Sequence, residues 1–268
     1  MRLVGWLCAL LLVPGLAQAG EPARFTAQLE GELVIGPQGQ VLEVAFKDAG
    51  WLGDDVRRGY EAKVREWKFA PVLVQGQPIS ARGRMRLDLV AERDDQARTA
   101  QFAIQRAVFL DPETYRGPDK APSLRAPLYP RDAALTGVGA LVVVAARVDA
   151  HGKPTDAATE YLHLTGPDPG AQGRRFAGQF QRATLATIKY WTIKGVEPGE
   201  LVRIPVRYIA PGQSREERRW TRVRPVPVEV PAWVVAAAAA HAPVELADSG
   251  ERGSARLRLL TPLGGPAD

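Results

Sequence analysis

One order of features occurs twice along this chain, and a repeat of that kind narrows the available folds more than composition does. Over residues 32–46 apolar and polar residues alternate on both sides of Gly36-Pro37-Gln38-Gly39, the pattern of a β-hairpin. Over residues 140–154 the pattern returns around Gly152. A helical stretch follows each hairpin. In the first, Asp54 or Asp55 is placed to cap the helix, and Val56, Tyr60, Val64 and Trp67 recur at three- and four-residue steps. In the second, Phe176, Phe180, Thr184, Ile188 and Trp191 do the same. Each helix runs into Trp-x-apolar, Trp67-Lys68-Phe69 or Trp191-Thr192-Ile193, with Trp67 and Trp191 read as core anchors rather than ligand-stacking rings. A turn follows (Gln75-Gly76-Gln77-Pro78, Glu197-Pro198-Gly199), and then an alternating strand, 81–89 or 201–209. The second copy is the longer by a loop-like stretch at 166–173, where an insertion costs little chain entropy. The expected fold class is α+β: two tandem β-β-α-β units, residues 25–91 and 127–211, each with one helix packed on a small antiparallel sheet.

The rest of the chain reads as ends and connections. Met1-Arg2, an apolar run to Val13 and small residues at Ala17 and Ala19 make residues 1–19 a signal peptide, cleaved before Gly20. The expected location is therefore the periplasm of a Gram-negative envelope, with an inner-membrane anchor as the alternative where the segment is retained. Cys8, the only cysteine, follows Trp6-Leu7 rather than a small residue, which argues against lipidation. The mature chain then has no thiol for a disulfide or a metal. Residues 92–126 form a connector, apolar enough over 99–109 to pack as a helix or strand and Pro-rich over 111–122, and residues 212–268 a Pro/Ala-rich, partly disordered tail with a short helix at 233–242. Net charge is +5, with clusters at Arg57-Arg58, Arg174-Arg175 and 215–224. These read as solvated faces, since an exported chain rarely meets nucleic acid.

The order strand, glycine turn, strand, helix ending in Trp-x-apolar, turn, strand resembles the C-terminal domain of the TonB family. The second copy also carries an entry segment similar to that family's, Pro127-Leu128-Tyr129-Pro130-Arg131-Asp132-Ala133-Ala134 followed by Gly137 and Gly139. Its Val148-Asp149-x-x-Gly152-x-Pro154 looks like the family's hairpin, and Ile204-Pro205-Val206-Arg207-Tyr208 like its last strand. The first copy lacks the Tyr-Pro entry but ends in Trp67-Lys68-Phe69-Ala70-Pro71. The resemblance implies binding by strand addition, in which a sheet edge offers unpaired backbone groups to an extended segment of an envelope or outer-membrane transporter protein. It places the candidate edge at Val202, Arg203, Ile204, Pro205, Val206, Arg207 and Tyr208, and Pro205 agrees, because proline within a strand favours edges. Two departures speak against TonB-type energy transduction. The apolar start has no polar coupling residue, and no proline-rich spacer precedes Phe25.

Catalysis finds little support. His151, His163 and His241 stand at no metal-ligand spacing, and Gly-x-Ser-x-Gly and phosphate-cradling loops are absent. Ser80, Ser123, Ser214, Ser249 and Ser254 have no histidine near them in sequence. The expectation is a non-catalytic protein-binding module with no cofactor, no metal and no nucleic-acid partner. The alternatives are a structural envelope protein whose units pack on each other or exchange strands in a homodimer, leaving no free edge, or, where the signal is not cleaved, a membrane-retained TonB-type energy transducer.

Overall fold

The computed structural model describes residues 22–112, 124–213, 220–247, 250 and 252–263. The proposed signal peptide, Cys8 and Ser123, Ser214 and Ser249 lie outside them. The strands are β1 (Ala23–Ile35), β2 (Val41–Phe46), β3 (Val72–Val74), β4 (Gln77–Ile79), β5 (Ala81–Asp94) and β6 (Thr99–Leu110). They continue with β7 (Gly139–Val148), β8 (Pro154–Thr165), β9 (Leu201–Tyr208), β10 (Thr221–Val226) and β11 (Val244–Glu245). The helices are α1 (Asp54–Arg65), α2 (Arg131–Leu135), α3 (Gly173–Ile188) and α4 (Ala232–Ala240).

Hairpins, helices and last strands stand where periodicity puts them. Tyr60, Val64 and Trp67 are buried against Leu29, Leu33, Leu87 and Leu89. Phe176, Phe180, Ile188 and Trp191 are buried against Val142, Val144 and Ile204. Asp54 and Asp55 differ from the expectation: Gly53 occupies the cap without a side-chain bond, and both aspartates lie in the first turn. There their charge suits the helix N-terminus, and they pair with Arg57 and Arg58. The repeat has a local explanation as well. Phe69 N–H donates to Gly39 O and Ile193 N–H to Gly152 O, both at 2.8 Å, so each Trp-x-apolar ending docks on its own hairpin tip. Gly39 and Gly152 have φ of 79° and 73°, and a Cβ at either would overlap the carbonyl oxygen of Phe69 or Ile193.

The assembly of these parts corrects the expected fold class. The chain does not form two small separate β-β-α-β units; among the described residues nine strands make one mixed sheet. Along it the order is β11-β9-β7-β8-β10-β1-β5-β6, with β2 beside β1; β3 and β4 form a separate hairpin. The join is β10, from the stretch expected to be a tail. Its Val223 pairs with Thr165 of β8 on one side and Arg24 of β1 on the other. β6, from the expected connector, pairs with β5 from Arg84↔Leu110 to Asp94↔Thr99. Alternation tells which face of a strand is buried; it does not tell which edges meet, and the unassigned segments supplied the missing edges.

The sheet also curls. Asp88 on β5 is 2.9 Å from Arg207 on β9, although four strands separate them in the sheet order. Both residues alternate with core residues under α1 or α3, so the helix-free faces of the two halves meet. Residues 244–247 lie along β9 at one end of the sheet, and residues 252–261 lie against the first half at the other. Ser254 N–H donates to Phe109 O on β6, Leu257 is buried in the first core, and Lys68 N–H donates to Thr261 Oγ1. At the far end of the second half's helix-free face, α4 packs Val234 over Ala145, Ala158 and Leu201.

Candidate functional site: the β9 edge and the ionic cluster behind it

β9 pairs with β7 along its whole length, Arg147↔Leu201 to Ala140↔Tyr208. On its other side β11 runs parallel, Val244↔Val202 and Glu245↔Arg203. Leu246 N–H donates to Arg203 O at 3.0 Å. Backbone groups of alternate residues in a strand point to the same side, so Arg203, Pro205 and Arg207 direct theirs away from β7. Pro205 therefore breaks no bond to β7. In a parallel ladder the next bond after Leu246 N–H would need an N–H at position 205, and proline has none. Leu246 O takes the Arg106 Nη1 donor instead, at 2.8 Å. Pro205 thus ends the pairing of β11 after two residues.

The side chains of Arg203 and Arg207 enter an ionic cluster whose centre, Asp88 and Arg106, is buried. Asp88 receives Arg106 Nε at 2.7 Å, Arg207 Nη2 at 2.9 Å and Gln28 Nε2 at 3.1 Å. Arg203 Nε donates to Glu160 Oε2 at 2.7 Å, and its Nη1 to Glu245 Oε1 at 3.3 Å. Glu245 Oε2 lies 3.8 Å from Arg106 Nη1. Burial pushes the Glu245 carboxyl above its ordinary pKa, more than Arg106 and Arg203 pull it down. The Tyr161 phenol, beside Asp88, Arg106, Glu245 and Arg207, is likewise pushed up by burial. Asp88 and Arg106 are the buried pair of this cluster, and removing either typically costs about 3–5 kcal/mol because its partner stays buried.

Of the seven residues read as an edge from sequence, Val202, Ile204, Val206 and Tyr208 face the α3 core, with Tyr208 OH 2.8 Å from Thr184 Oγ1. Arg203 and Arg207 carry the cluster, and Pro205 is buried between them. The entry segment supports this strand from behind: Tyr129 OH donates to Val138 O at 2.7 Å, and its ring packs 5.6 Å from those of Phe180 and Tyr208. Sequence reasoning missed Asp88, Arg106, Glu160 and Glu245. In Arg84-Met85-Arg86-Leu87-Asp88-Leu89, charge at every second position has the form of a solvated face. Only the closure of the sheet turns Asp88 inward.

A cleft of about 860 Å³ opens beside the cluster, lined by Arg24, Glu92, Glu160, Tyr161, His163 and the 222–228 segment. His163 is buried on β8 with its ring 5.3 Å from that of Tyr161, while His151 and His241 are exposed in turns. Among the described residues no group of three or more His, Cys, Asp or Glu is placed to hold a metal ion, and no helix is long and apolar enough to cross a membrane. Comparison of the chain with protein families, with curated proteins and with solved structures finds no match.

Proposed function

We propose that this protein is a non-catalytic, exported binding module of the cell envelope that takes up an extended segment of another envelope protein along β9. One observation carries the reading: the outward side of β9 holds an extended segment in backbone pairing, here the chain's own Val244–Glu245. The TonB-like order of motifs supports it, since strand addition is the mode that resemblance implies. Energy transduction forms no part of the proposal.

The test places a photo-activated cross-linking residue at Ile209, exposed just beyond β9, and a second at Leu42 on β2 as the control. The expected result is a cross-link from position 209, mapped by mass spectrometry to an extended stretch of one envelope protein. Equal labelling from both positions would contradict the reading. A specific observation favours the structural alternative: the two halves already meet through Asp88 and Arg207, and Pro205 is buried. Under that reading position 209 cross-links only within the chain or to a second copy.

A further inference from the structure

The segment that occupies β9 differs from the other described strands of the sheet in two respects: it pairs parallel where their pairings are antiparallel, and its ladder covers only two residues. The site it fills is nonetheless built in advance. Arg203 is held by Glu160 and Arg106 by Asp88, so each guanidinium is fixed by a carboxylate of the sheet and turns a remaining N–H towards the segment. Glu245 is the residue of the segment that meets them, accepting from Arg203 Nη1 at 3.3 Å and lying 3.8 Å from Arg106 Nη1.

The positions around Glu245 are equally defined. Val244 packs against the α3 core. Leu246 is 1% exposed within that core, and its carbonyl is gripped by Arg106. Ala247, also 1% exposed, packs on Val108 and Leu110 of β6, where its methyl group is enclosed. A segment seated here therefore presents an apolar residue, an acidic residue, an apolar residue and a small one, in that order and parallel to β9.

We infer that residues 244–247 are an intramolecular stand-in for the partner: they block the β9 edge until an extended segment of the form apolar–acidic–apolar–small displaces them. The inference rests on the binding reading above and adds to it the occupant's chemistry, its direction and a built-in block. Two features make the block exchangeable. Pro205 withholds the next ladder bond, and the burial of Glu245 works against its attraction to Arg106 and Arg203. A free segment competes with one whose effective concentration is set by the chain itself, so the block weakens binding in proportion to its occupancy.

The experiment uses the full chain and a fluorescent synthetic peptide, Ala-Pro-Val-Glu-Leu-Ala, the sequence of residues 242–247. Glu245→Lys sets a third cation against Arg106 and Arg203 and should expel the segment. Ser254→Pro, a second variant, removes the amide that anchors the segment to Phe109 O and leaves the ionic cluster intact. Circular dichroism identifies which variants stay folded, and exchange of the Leu246 amide shows which have released the segment. The expected result is binding at least tenfold tighter to a released variant than to the unaltered chain, with no binding of the peptide in which lysine replaces glutamate. Equal affinity for blocked and released chains, or equal affinity for both peptides, overturns the inference. Absence of binding to a released, folded variant overturns it too. The binding reading falls separately, through the position-209 cross-link.

Discussion

At the scale of single residues, Glu245 shows how burial and pairing compete. Its pKa lies above the ordinary value of 4.5 because burial outweighs the attraction of Arg106 and Arg203. A raised pKa means that the folded chain holds this proton more tightly than the unfolded chain does. The contribution of Glu245 to stability is then complete below pH 4.5 and is lost as the pH rises through the folded-state value. Glu245→Gln keeps the shape and removes the titration. Its stability relative to the unaltered chain should therefore rise as the pH is raised from 4.5, measured as urea midpoints at a series of pH values. A difference constant across that range would show that pairing and burial balance.

At the scale of elements, β10 decides the architecture. Six residues, with Pro225 among them and Pro227 just beyond, serve as the common neighbour of β8 and β1. Val223, 2% exposed, is the residue paired on both sides. Val223→Asp buries an unpaired charge there, and the expected loss is on the order of 3 kcal/mol or more. Hydrogen exchange should rise together in Ala23–Ile35 and in Pro154–Thr165, the strands that β10 joins. Protection lost in only one of them would mean that β10 is an appendage of that half. The helices tell a simpler story. Their apolar steps alone put Tyr60, Val64, Phe176, Phe180 and Ile188 inside, because a helix needs only one buried stripe and carries its own backbone bonds.

For the whole molecule, a continuous sheet and a shared ionic cluster make the halves one cooperative unit. Trp67 packs with Phe69 and Phe109 at ring distances of 6.5 and 5.8 Å, and Trp191 donates its indole N–H to Arg125 O at 2.7 Å. Replacing either by alanine should cost about 3–5 kcal/mol. From sequence alone, each change is expected to unfold its own unit. With β10 and the Asp88–Arg207 contact in place, both variants should instead lower one common midpoint in calorimetry, with a single transition. Two transitions, of which each variant moves one, would restore independent halves.

What the residues determined by themselves was most of what depends on neighbours in sequence, the cap of α1 excepted. Hairpin tips at Gly39 and Gly152, amphipathic helices, tryptophan anchors and a proline at an outward-facing position of the last strand all follow from periods of 2 and 3.6 and from turn chemistry. What only the tertiary structure decided was which edges and faces meet: that 221–226 closes two sheets into one, that Val244–Glu245 lies along β9, and that Asp88 and Arg207 turn inward together. The physical reason is that backbone ladder bonds are nearly the same for every residue, so pairing leaves almost no mark in the sequence. A charged residue on alternate positions also looks alike whether it meets water or an ion of opposite sign.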